Sequence, residues 1–159
     1  MAPGVQSGRW MPSITTARVG QLEYDDSATI HLPCGIPGFD RNRRFVLVEQ
    51  PALAPLVFLQ SLESPDLSLA AVPVALVDSE YQMGVTPEDL SLLGLDLSRQ
   101  PIPGREVLVL AILTAPKDGQ PTANLLAPVV INLANRVGVQ AVRTDSRYSH
   151  RHPVGEPCS

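Results

Sequence analysis

Cys34 is the residue best suited to nucleophilic chemistry, and His31 stands three positions before it. A cysteine attacks as the thiolate, so it needs a neighbouring base or a helix N-terminus to lower its pKa. The alternation around Ile30 and Leu32 predicts a strand, on which His31 need not point the same way as Cys34. A small packing residue is the alternative role. His150 and His152, on either side of Arg151, and Cys158 offer three metal ligands further along. Zinc sites carry paired ligands at characteristic spacings, which this group does not match, so an exposed tail bearing two imidazoles is expected instead. No Gly-rich phosphate loop, paired-His zinc helix or Gly-x-Ser-x-Gly elbow occurs in the sequence. The residues predict no catalytic group, no cofactor and no metal, with a Cys34-dependent enzyme as the catalytic alternative.

Charge is more ordered than the nucleophiles. From Phe45 to Ser98 there are eight acids (Glu49, Glu63, Asp66, Asp78, Glu80, Glu88, Asp89 and Asp96) and no Lys or Arg. From Asn135 to Pro153, Arg136, Arg143, Arg147 and Arg151 face Asp145 alone. The acidic stretch either keeps a small domain in solution or docks a basic protein partner, steering its approach. A formal net charge of −4 argues against a protein that coats nucleic acid, because neutralising phosphates takes excess Lys and Arg.

Two loops carry unusual composition. Gly35-Ile36-Pro37-Gly38-Phe39 sets two glycines and a proline among two large apolar side chains, which predicts a rigid turn. Ile36 and Phe39 either plug one end of the core or meet a partner. In Thr122-Ala123-Asn124-Leu125-Leu126-Ala127-Pro128, Asn124 can bond its own backbone while the leucines pack or present a patch.

The elements that must position these loops follow from pattern. The 159 residues, 44% of them apolar, suit one domain. Sixteen prolines forbid long helices. Two cysteines make no disulfide framework, which points to the cytoplasm. The longest apolar run, Val107 to Leu113, is too short to cross a bilayer, and Met1 to Ser13 has no secretion signal. Alternation predicts strands at Ile30–Leu32, Phe45–Val48, Leu56–Leu62, Leu67–Val74, Val129–Leu133 and Val137–Val142. Pro73 marks an edge or a strand end. Val107–Leu113 reads as a strand buried on both faces. Thr86-Pro87-Glu88-Asp89 opens a short helix that Gly94 stops, with Leu90 and Leu93 docking on the sheet. Residues 1–13 form a disordered tail, 14–153 one domain and 154–159 a second tail. The fold class is mainly β, a single antiparallel barrel-like domain with one or two short helices.

Five stretches, in this order, resemble the flagellar assembly factor FliW family. They are Leu32 to Phe39, Phe58-Leu59-Gln60-Ser61, Glu106 to Leu110, Thr122 to Asn132, and Asp145-Ser146-Arg147-Tyr148-Ser149. The likeness runs from about Ile14 to Val154. It implies a non-enzymatic cytoplasmic protein, with no membrane span and no direct nucleic-acid contact, that binds flagellin and the translational regulator CsrA as competing partners. As flagellin is exported, the freed protein lifts the block that CsrA places on flagellin mRNA. Partner contacts are expected at Gly35, Ile36, Pro37, Gly38 and Phe39, at Thr122, Asn124, Leu125 and Leu126, and at Glu88 and Asp89. Leu32 departs from the Phe common in the family, and Cys34 sits where the family varies. A generic interaction module is the remaining alternative.

Overall fold

The computed structural model describes residues 11–17, 20–115, 119–145 and 147–154. Eleven strands are β1 (Ser13–Thr16), β2 (Gly20–Glu23), β3 (Ile30–His31), β4 (Arg44–Glu49), β5 (Val57–Ser61), β6 (Ser68–Pro73), β7 (Val107–Thr114), β8 (Thr122–Ala123), β9 (Val129–Asn132), β10 (Gly138–Gln140) and β11 (His152–Pro153). Among the described residues the α-helices are α1 (Val74–Val77) and α2 (Pro87–Leu93), with short 3-10 turns at Asp26–Ala28 and Pro51–Leu53.

The main sheet runs β10-β9-β7-β6-β5-β4-β3, with every neighbour antiparallel. Its two ends approach one another. The His31 N–H donates to the Arg136 carbonyl at 2.9 Å, and His31 forms a parallel bridge with Val137. One bridge rather than a full ladder joins the ends, so the sheet is barrel-like without being a closed barrel. β8 pairs the far end of β7, where Leu113 faces Ala123, and β11 pairs β8.

Alternation along the strands sends apolar side chains to both faces of this curved sheet. Phe45, Leu59, Ala71, Leu110, Val129 and Ile131 make the inner core, which Ile30, Leu32 and Ile36 complete. The outer face has two covers. Leu22 and Tyr24 of the β1–β2 hairpin lie over Val46, Val48 and Phe58, while Leu90 and Leu93 of α2 pack on Val107, Val109, Ala111, Val130 and Val139. β7 is therefore buried on both faces, as its unbroken apolar run predicts. α2 also has the expected ends: the Thr86 Oγ1 accepts the Asp89 N–H at 3.2 Å, and Gly94 closes the helix at φ 75°.

One open expectation is settled and two change. Pro73 ends β6, but β6 lies between β5 and β7, so it marks a strand end and not an edge. Ser13 belongs to β1, paired with Glu23, and the Pro12 carbonyl accepts the Tyr24 N–H at 3.0 Å. Val154 packs on the outer core and its N–H donates to the Pro121 carbonyl at 3.0 Å. Residues 1–10 and 155–159, the rest of the expected tails, lie outside the described residues.

Buried polar side chains tie the covers to the sheet. Asn132, 5% exposed, donates from Nδ2 to the Leu93 carbonyl at 2.7 Å and accepts the Ala134 N–H at 2.9 Å. It thereby fixes the end of α2 and the turn before β10. Asn132→Ala should cost about 1 kcal/mol, since the buried Leu93 carbonyl loses its shorter side-chain donor and is left with the Asn135 Nδ2 at 3.1 Å. Urea unfolding followed by circular dichroism checks this.

Just before β7, Glu106 is held by both terminal guanidinium nitrogens of Arg99, with Nη1 to Oε1 at 2.9 Å, and by the Ile102 N–H at 2.8 Å. The Arg99 hydrogen bond, then that of Ile102, holds its carboxyl down at about 2 against an ordinary 4.5. A carboxyl depressed in the native state lets the unfolded chain take up its proton first as pH falls. Its stabilisation is full above 4.5 and is lost as the pH drops through about 2. Glu106→Gln should flatten the fall in melting temperature across that window, and an unchanged slope would refute it.

Candidate partner-docking site

The first loop turns on Gly35, whose φ is +67°; a methyl group there would stand 2.8 Å from the Asp40 carbonyl oxygen. Glycine is required by both conformation and space. The Gly35 N–H closes the turn on the Leu32 carbonyl at 2.8 Å, and the Phe39 N–H meets the Ile36 carbonyl at 2.6 Å. Gly38, at φ +90°, lets the chain reverse between them. Ile36 is buried in the inner core while Phe39 is 43% exposed. The plug and the surface contact, weighed together from sequence, are thus divided between two residues.

In the second loop the Asn124 Oδ1 accepts the N–H groups of Leu126 and Ala127 at 3.1 and 2.9 Å. This is the backbone bonding its composition predicts, and it sets the leucines apart. Leu125 is fully buried in the outer core, so its side chain is no surface for a partner, whereas Leu126 is half-buried.

The two loops meet. Ile36, Pro37 and Phe39 face Thr122 and Asn124 across a depression of about 550 Å³, floored by Leu69 and Ile112. It opens on the inner side of the sheet, at the end where β7 reaches Thr114. His150 and Arg151 border it, although the sequence reads them as an exposed tail. The reason is β11: His152 pairs with Ala123, and the Leu125 N–H donates to the Ser149 carbonyl at 3.0 Å. No local pattern marks a two-residue strand of this kind.

Glu88 and Asp89 are not part of this mouth. They start α2 on the outer face. Partial burial pushes the Asp89 carboxyl up, against the Thr86 hydrogen bond that lowers it, and Glu88 adds to the rise. Nor does the acidic stretch form one face. Glu49 ends β4 at one end, while at the other Glu63 accepts the Arg43 and Arg44 N–H groups at 2.9 and 3.0 Å. Asp78 and Asp96 accept the N–H groups of Glu80 and Ser98 in their own turns.

Cys34 is exposed in the first turn. Cys158 lies outside the described residues, and among those described no group of three or more His, Cys, Asp or Glu is placed to hold a metal. No helix among them is long and apolar enough to cross a membrane.

A further cluster supports the second loop. The Arg143 side chain is 4% exposed. It binds Asp145 through Nε at 2.9 Å and Nη2 at 3.1 Å, and donates to the Gln82 carbonyl at 2.6 Å and the Tyr81 hydroxyl at 3.3 Å. Its guanidinium carbon lies 4.8 Å from the Tyr148 ring centre and 5.4 Å from that of Tyr81. The Tyr81 hydroxyl donates to the Leu125 carbonyl at 2.9 Å, and the Arg143 N–H to that of Leu126 at 2.9 Å. Burial pushes the Tyr81 hydroxyl up, whereas the Arg143 hydrogen bond holds the Asp145 carboxyl down. Sequence reasoning counted Arg143 only toward the charge of the basic stretch from Asn135 to Pro153; the Arg-x-Asp spacing with an aromatic Tyr148 close behind is the signal that could have found it.

The sequence model of the FliW protein family matches residues 13–154. The chain belongs to the FliW family. It is 34% identical to the flagellar assembly factor FliW of Syntrophomonas wolfei over 145 residues, covering 91% of this chain and 89% of that protein. Its identity to the FliW of Pseudothermotoga lettingae is 37%, with 89% and 87% covered. To that of Bacillus subtilis it is 32%, with 91% and 99% covered. A crystal structure of the flagellar assembly factor FliW superposes with a TM-score of 0.80 at 27% identity, covering 93% of this chain and all of the other. The stretches that resemble FliW are here the Gly35 turn, the buried Gln60 and Ser61, strand β7, the Asn124 turn with β9, and the segment that clamps Arg143.

Proposed function

We propose that this FliW-family chain is a non-enzymatic flagellar assembly factor of the cytoplasm that acts through protein contacts, binding flagellin and CsrA as competing partners. Bound to flagellin, it is withheld from CsrA; once flagellin is exported, it binds CsrA and relieves repression of flagellin mRNA. It touches neither membrane nor nucleic acid directly. The observation that supports this most is the mouth itself, where loops far apart in sequence converge beside an exposed Phe39. Large aromatic side chains at apolar depressions are the usual anchors of protein interfaces. Phe39, Pro37, Thr122 and Asn124 form the proposed contact, with Gly35 and Gly38 shaping it and Ile36 supporting it from the core. Glu88 and Asp89 form a second contact on the outer face, suited to a basic partner.

Calorimetric titration of the purified chain into CsrA from the same source, repeated with cognate flagellin already bound, tests the reading. Binding that flagellin abolishes is expected. Absence of heat with both partners, in a chain that melts cooperatively, would refute it.

A further inference from the structure

The mouth is apolar below and cationic at its rim. Leu69 and Ile112 form its floor, Phe39 stands over it, and His150 and Arg151 border it. Among the described residues that line it there is no carboxylate. This reverses the balance of the whole chain, whose formal net charge is −4. The backbone that carries this rim is also held in place. The Arg151 N–H donates to the Ser149 Oγ at 2.9 Å, and the next residue, His152, pairs with Ala123. The polar groups deeper in the mouth are already engaged: the Asn124 Oδ1 serves its own turn, and the Gln140 Nε2 donates to the Ala127 carbonyl at 3.0 Å. What the mouth offers an incoming chain is the Arg151 guanidinium and the exposed Phe39 ring.

Resting on the reading of this mouth as a docking site, we propose that its occupant is an apolar protein segment flanked by a carboxylate. The apolar side chain seats against Phe39, Leu69 and Ile112, and the acid pairs with the Arg151 guanidinium, which suits carboxylate geometry through its paired donors. A depression of about 550 Å³ accommodates such a side chain and its neighbours. A segment flanked by lysines would meet like charge at the same place. The mouth therefore selects against basic partners, while Glu88 and Asp89 on the outer face remain free to meet one.

Two fluorescein-labelled dodecapeptides test this, one built of leucine and glutamate and its twin with lysine at every glutamate. Fluorescence anisotropy is read with the full chain and with the Arg151→Glu, Arg151→Lys and Phe39→Ala variants. The acidic peptide should bind at least about tenfold more tightly than its twin. Arg151→Glu should abolish that preference, Arg151→Lys should keep part of it, and Phe39→Ala should weaken the acidic peptide, all with unchanged melting temperature. Equal binding of the two peptides, binding of neither, or a preference that survives Arg151→Glu overturns the proposal. Titration with flagellin and CsrA is read separately. A peptide preference without partner binding refutes the assembly-factor reading alone, and partner binding without a peptide preference refutes the acidic occupant alone.

Discussion

Replacing Arg143 by methionine is expected to lower the free energy of unfolding by about 3 kcal/mol. The guanidinium joins three parts of the chain at once: the Gln82 carbonyl and Tyr81, the Asp145 carboxylate, and the aromatic face of Tyr148. Methionine fills much of the volume but donates nothing, so the Gln82 carbonyl loses its charged partner and the paired tyrosine rings lose the cation beside them. Asp145 is half exposed and finds water instead, which keeps the cost below that of stranding a buried charge. Arg143→Lys should recover only part of the loss, because one ammonium cannot satisfy Asp145 with two parallel bonds while also reaching Gln82. Denaturant unfolding of the three proteins decides the point. If Arg143→Met unfolds at the original midpoint, the cluster is decoration. The Leu125 and Leu126 carbonyls hang on the same cluster, so the variant should also loosen the second loop and weaken any partner held at the mouth.

Phe39→Ala is expected to weaken binding of the partner seated at the mouth by about tenfold to a hundredfold while the melting temperature stays within error. The separation follows from exposure. Phe39 keeps 43% of its surface in solvent, whereas its loop neighbour Ile36 keeps 4% and belongs to the inner core. Truncating Phe39 removes ring surface that the chain leaves open to a partner, and the turn's hydrogen bonds are backbone bonds that alanine retains. Ile36→Ala is the contrasting variant, which should lower stability through a core cavity. A large drop in melting temperature for Phe39→Ala would make the whole loop a plug. Calorimetry against flagellin and CsrA in turn would show which partner uses the mouth.

The two variants also separate what was legible in the sequence from what was not. The turn around Gly35, the caps of α2 at Thr86 and Gly94, the burial of β7 on both faces and the bonding of Asn124 to its own backbone all rest on neighbours close in the chain. Residue type and spacing carry that information. The same local logic cannot distinguish Leu125 from Leu126. Which of them faces the core depends on where the Asn124 turn meets the Tyr81 hydroxyl and the Arg143 amide, both far away in sequence.

Sequence alone determined the mainly β class, most strand positions, the single well-capped helix and, through five short stretches, the family. Tertiary structure alone decided that the Gly35 and Asn124 loops share one mouth, that β11 carries Arg151 to its rim, that the acids divide between both ends of β4 and the start of α2, and that Arg143 is buried. The physical reason is that alternation and turn chemistry are properties of a few consecutive residues, while the meeting of loops is set by strand register and by the curvature that brings β3 and β10 together. Those depend on pairings between distant segments, and no window of sequence contains both partners.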